Sequence, residues 1–131
     1  MKKIENIKLV PIYPDKYRVT NLSSYRGMIV NRNGYLTCTE RLATELKIVK
    51  GKYLQFSTHD SRWFMRVDSH LGIRLSIYGA YHRYRVKLGE NLLRVICGNI
   101  GVRSNNSATI YVSENKISND GELWYELLGE D

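Results

Sequence analysis

From Met28 to Val67 the chain alternates apolar and polar positions with a period of two, gives way once to a short helical spacing, and then alternates again. Met28-Ile29-Val30 and Tyr35-Leu36 flank Asn33-Gly34, two residues that accept the positive φ angles of a type I′ turn, so the stretch predicts a hairpin. Thr39 stands where a helix N-cap belongs, ahead of an amphipathic helix from Glu40 to about Lys47 with Leu42 and Leu46 one turn apart. Gly51 breaks the chain, Tyr53-Leu54-Gln55-Phe56 resumes the alternation, and His59-Asp60-Ser61 makes a polar turn into Arg62-Trp63-Phe64-Met65-Arg66-Val67.

A fainter copy of this order follows. Arg74 to Tyr78 reads as a strand, and Tyr81 to Leu88 as another, with Tyr84, Val86 and Leu88 on one face and Arg83, Arg85 and Lys87 on the other. Gly89-Glu90 opens a second helix, Asn91 to about Gly98, and Gly98-Asn99-Ile100-Gly101 reads as its stop. After a polar loop, Ala108 to Val112 and Glu122 to Leu127 are strands, with Asn119-Asp120-Gly121 as a turn. Residues 25–68 and 73–128 therefore share one order: hairpin, short helix, hairpin. Neither half is large enough to close a core alone, so the expectation is a single domain over residues 1–131, an α+β, β-rich fold of two ββαββ halves interleaved about a pseudo-twofold axis. Trp63 and Trp124 fall at matched places and are expected in the core or between the halves. Residues 1–24, with Pro11 and Pro14, form an extended segment along the outside.

Composition sharpens this picture. Ten Tyr, two Trp and only two Pro suit ordered, strand-rich structure. Cys38 and Cys97 are too few and too far apart for a metal signature, and read as buried free thiols of a reducing compartment. Met1-Lys2-Lys3 precedes no long apolar run, so neither a secretory signal nor a spanning helix is expected. The expected location is cytoplasmic: the host cytoplasm or the virion, should a virus encode the chain. A net charge of +7 favours an anionic partner. It is segregated: residues 1–70 hold 13 Lys and Arg against 6 Asp and Glu, residues 71–131 hold 7 of each, and the last stretch is acidic.

Gly34, Leu36, Cys38, Leu42, Leu46-Lys47-Ile48, Gly51, Leu54 and Phe56 carry a resemblance to the swapped-hairpin DNA-binding domains of AbrB/MazE-type regulators and antitoxins. The match covers about a third of the chain without a gap, and a doubled unit in one polypeptide is similar to MraZ-like proteins. The resemblance implies a swapped-hairpin barrel, DNA binding and a regulatory role. The family has Pro before the helix, where this chain has Thr39. At the family's DNA-contacting arginine positions stand Tyr35, Ala43 and Thr44, so contact would pass to the neighbouring Arg32, Arg41, Lys47, Lys50 and Lys52.

The expected function is nucleic-acid binding through the phosphate backbone, as a DNA-binding regulator or accessory factor. The candidate residues are Arg26, Arg32, Tyr35, Arg41, Lys47, Lys50 and Lys52 in the first half, and Tyr81, Arg83, Arg85 and Lys87 in the second, where cations alternate with aromatics as phosphate contact and base stacking require. The alternative is a structural or protein-interaction module, such as a component of a phage particle or mobile element, in which the basic body and acidic end serve assembly with itself or a protein partner. His59, His70 and His82 are scattered, and no nucleophile elbow, metal-ligand spacing or phosphate-binding glycine loop is present. An enzyme, a metal and a cofactor are not expected.

Overall fold

The computed structural model describes residues 25–79, 83–103 and 108–129. The N-terminal segment 1–24, Tyr81, His82 and the loop at 104–107 lie outside them. The strands are β1 (Gly27–Asn31), β2 (Tyr35–Cys38), β3 (Tyr53–His59), β4 (Arg62–Asp68), β5 (Ile73–Arg74), β6 (Ser76–Tyr78), β7 (Arg83–Lys87), β8 (Thr109–Asn119) and β9 (Glu122–Leu128). Helix α1 (Glu40–Glu45) joins β2 to β3, and α2 (Glu90–Ile100) joins β7 to β8.

All nine strands form one antiparallel sheet in the order β5-β3-β4-β9-β8-β1-β2-β7-β6. The hairpins β3–β4 and β1–β2 of the first half thus alternate in space with β8–β9 and β6–β7 of the second. The stretch expected as one strand from Arg74 to Tyr78 is divided. Its first part pairs with β3 and its second with β7, at opposite ends of the strand order. Leu75, between them, is buried and donates its N–H to the Lys52 carbonyl at 3.1 Å. Two adjacent short strands therefore draw both sheet ends together into a nearly closed barrel.

The interior follows from strand alternation. Met28 and Val30 of β1, Leu36 and Cys38 of β2, Val86 of β7, Ile110 and Val112 of β8, Leu127 of β9 and Met65 of β4 all enter one buried cluster. Leu42 from α1, and Leu93, Ile96 and Cys97 from α2, join it. Each such aliphatic side chain contributes about 1.5–3 kcal/mol relative to leaving it in water. Both thiols are free and buried. The two tryptophans differ in location. Trp63 packs in the core and donates its indole N–H to Asn99 Oδ1 at 2.8 Å. Trp124 pairs with Ile117, one position out of phase with core-facing Tyr125 and Leu127, so it stands half-buried on the outer wall.

Local chemistry accounts for the ends of each element. Thr39 Oγ1 accepts from the N–H of Leu42 and of Gly27, both at 3.2 Å, and donates to the Tyr25 carbonyl at 2.8 Å. The cap thereby ties α1 to the start of β1. The helix stops two residues earlier than the periodicity predicts because Lys47 turns left-handed (φ 56°), with Ile48 N–H returning to Ala43 O at 2.8 Å and Lys47 N–H to Thr44 O at 3.4 Å. The Asn33-Gly34 turn has the positive φ angles it requires (65° and 78°), but Asn31 pairs with Tyr35, so Arg32 joins a three-residue connection. The Gly34 carbonyl accepts from Leu88 and Gly89 N–H at 2.9 and 3.2 Å, which anchors this turn to the entry of α2.

Candidate nucleic-acid interface

Residues opposite each other in an antiparallel ladder share a face, so the register assembles the outer surface of β8-β1-β2-β7. Tyr35 stands opposite Lys87 and Asn31, and Thr37 opposite Arg85 and Ile29. Ile29 is in turn opposite Thr109, and Gly27 opposite Tyr111. Because Met28, Val30, Leu36, Val86 and Ile110 point inward, this second set points outward.

Contacts gather the set further. The Arg85 guanidinium carbon lies 4.0 Å from the centroid of the Tyr35 ring, and Lys87 Nζ lies 5.7 Å from it. Thr37 is buried and donates its hydroxyl to Asn31 Oδ1. At the β8 side, Tyr25 and Tyr111 meet at 5.3 Å between centroids, and Thr109 donates to the Tyr25 hydroxyl at 3.3 Å. A Cβ at Gly27 would come within 3.0 Å of the Tyr25 ring and 2.4 Å of the Ile110 carbonyl, so only glycine fits beneath the ring. Burial pushes the Tyr25 phenol above its ordinary 10.0, against the pull of the Thr109 hydroxyl and the Arg83 charge. The face holds tyrosines and cations; β1, β2 and β7 contain no carboxylate, and β8 carries Glu114, which lies 3.4 Å from Arg41.

Arg26, Arg41, Arg62 and Arg66 meet carboxylates. Arg26 is only 8% exposed; it lies 2.6 Å from Glu45, donates to the Val112 and Ser113 carbonyls at 3.1 and 3.2 Å, and stacks over Tyr125 at 4.9 Å. Its expected place on a binding surface is corrected: it sits under the β8 bulge as a structural residue, because three acceptors and a ring surround it. Arg41 pairs with Glu45 at 2.7 Å and Glu114 at 3.4 Å. Arg62 grips Glu126 through two hydrogen bonds of 2.9 and 2.8 Å, and Arg66 meets Asp68 at 2.7 Å and Glu122 at 3.5 Å. These pairs hold the Glu45 and Glu126 carboxyls below their ordinary 4.5.

The remaining predicted residues scatter. Lys47 and Lys50 are exposed on the loop between α1 and β3, where Lys52 donates to Ser69 Oγ at 2.9 Å. Arg32 lies in the first hairpin connection, and Tyr81 is outside the described residues. The structure therefore brings together Tyr35, Arg83, Arg85 and Lys87. It adds Tyr25, Ile29, Thr109 and Tyr111, which the sequence reading passed over. Their signal was present in the period-two phase, since Tyr111 alternates with the inward Ile110 and Val112.

The opposite wall has another character. A cavity of about 360 Å³ opens there between Phe64, Ile117 and Trp124, with Arg62 at its edge already neutralised by Glu126. Among the described residues no cluster of His, Cys, Asp and Glu is arranged to hold a metal, and no helix is long and apolar enough to cross a membrane. His59 is exposed with Nε2 3.2 Å from Asp60, and His70 offers its backbone N–H to Asp68 at 2.7 Å. No protein-family model, curated protein or solved structure matches the chain.

Proposed function

We propose that this chain is a nucleic-acid-binding protein, a DNA-binding regulator or accessory factor of swapped-hairpin build, contacting phosphates through the outer face of β2 and β7. One observation carries the reading. Arg83, Arg85 and Lys87 alternate along β7, where the Arg85 guanidinium lies 4.0 Å and Lys87 Nζ 5.7 Å from the centroid of the Tyr35 ring. Strand order supports the swapped-hairpin part. With the two-residue β5 set aside, exchanging β1 with β6, β2 with β7, β3 with β8 and β4 with β9 leaves the circular order of the other eight strands unchanged, in keeping with two interleaved ββαββ halves about a pseudo-twofold axis. The test is a salt titration of binding to a labelled oligonucleotide. Three phosphate contacts give a log–log slope of about −2 to −3, and replacing Arg83, Arg85 and Lys87 together by alanine brings it close to zero. Absence of binding at low salt and micromolar protein refutes the reading.

A second reading, a structural or protein-interaction module, draws support from the segregated charge, a basic excess over residues 1–70 against an acidic last stretch. Light scattering that finds an oligomer free of nucleic acid favours it.

A further inference from the structure

Resting on the reading above, we infer that the nucleic acid this face takes is single-stranded, lying across the sheet with its bases stacked on the Tyr35–Arg85 platform and beside the Tyr25–Tyr111 pair. Reading the inside of a duplex takes an element that enters a groove, either an α-helix or a projecting two-stranded ribbon. The chain offers neither at this face. Helix α1 has six residues, carries Glu40 and Glu45, and has Arg41 committed to acids. The exposed residues of α2 include Glu90, Asn91, Val95 and a single cation, Arg94. Strands β1 and β2 are both flanked, by β8 and β7, so their hairpin is embedded in the sheet instead of projecting from it.

What the face does present suits unpaired bases. Arg85 is laid against the Tyr35 ring at 4.0 Å, which holds its guanidinium close to the aromatic surface, and both residues are half-buried. Aromatic rings and guanidinium planes are the two surfaces on which splayed bases stack. Lys87 stands opposite Tyr35 and Arg83 two positions before Arg85, so cations border the platform along one strand for the backbone to follow. Tyr25 and Tyr111, tilted by 57° at 5.3 Å, add a second aromatic surface two strands away. Bases paired within a duplex have their faces occupied by their neighbours and gain nothing from these rings.

The experiment compares labelled oligothymidine, oligouridine and a mixed-sequence duplex of equal length by fluorescence anisotropy at one low salt concentration, with the intact chain. The single strands bind more tightly than the duplex, and the two single-strand arms separate DNA from RNA as the source. Tyr35→Leu weakens single-strand binding about tenfold or more with duplex binding unchanged, and Tyr35→Phe restores it. Arg85→Lys keeps the charge but loses the plane, and weakens single-strand binding while leaving the salt slope in place. Circular dichroism and thermal melts establish that each variant is folded. Duplex binding as tight as single-strand binding, or a folded Tyr35→Leu protein with unchanged single-strand affinity, overturns the inference alone. Failure of all three nucleic acids to bind overturns it together with the proposed function.

Discussion

Arg26 Nη1 lies 2.6 Å from Glu45 Oε1, a contact that fastens the entry of β1 to the end of α1 beneath the β8 bulge. The same guanidinium supplies the Val112 and Ser113 carbonyls. Truncating it to alanine withdraws three hydrogen bonds and leaves buried acceptors unpaired, a cost of about 2–4 kcal/mol. Arg26→Lys recovers little, because one ammonium cannot span the three acceptors in the geometry of a planar fork. Urea denaturation of the two variants measures both effects, and a near-native Arg26→Lys midpoint contradicts the assignment.

Acid destabilises the fold through the same pairs. Asp68 is held well below its ordinary 3.8 by its hydrogen bond from Arg66, then by the Leu71 and His70 N–H groups. Glu45 is held below 4.5 chiefly by Arg41 and then Arg26, and Glu126 by Arg62. Depressed values mean that the unfolded chain binds these protons first. The stabilisation is complete above the ordinary carboxylate range, so the urea midpoint is insensitive to pH there, down to about pH 5. It declines as the pH falls through that range towards the lower folded values. Asp68→Asn has a lower midpoint at neutral pH and a shallower acid slope; an unchanged slope argues against the Asp68 linkage.

The two long hairpins end in equivalent two-residue turns with unequal chemistry. Asp60-Ser61 and Asp120-Gly121 both have positive φ at each position, 51° and 63° in one, 51° and 79° in the other. A serine held there is strained where glycine is not. Ser61→Gly raises stability by about 0.5–1 kcal/mol, and Gly121→Ala lowers it by about 1 kcal/mol. Denaturant midpoints with unchanged m-values check the pair.

Gly34 tolerates no side chain for a different reason. Its φ is 78°, and a Cβ would stand 2.3 Å from the Gly89 carbonyl carbon and 2.6 Å from the Glu90 nitrogen, both backbone atoms that cannot step aside. Gly34→Ala separates the first hairpin from the α2 entrance and costs about 2–4 kcal/mol. Gly51→Ala, also at positive φ but with open space around it, costs only the conformational part, about 1 kcal/mol. Thermal melts of the two variants side by side separate contact from strain.

Cys38 is fully enclosed, and burial pushes its thiol up to about 12; the Cys97 thiol is raised by the same cause. Neither forms appreciable thiolate at neutral pH, so a thiol-specific reagent labels them only after denaturant is added. Rapid labelling of the native protein contradicts the core placement.

The order of residues alone determined what depends on near neighbours. Strand alternation placed Met28, Leu36, Val86 and Ile110 on one side; Thr39 capped a helix; Asn33-Gly34, Asp60-Ser61 and Asp120-Gly121 turned the chain. Those signals are local because a strand's period and a turn's φ angles are set within a few bonds. The split at Leu75, the outward phase of Trp124 and the fate of the cations belong to the tertiary structure. Arg62 and Glu126 are 64 positions apart, yet meet only because β4 lies beside β9. Charge neutralisation depends on distance through space, so a count of lysines and arginines along the chain cannot show that Arg26 is paired inside the fold with Glu45. Only the folded sheet reveals that pairing.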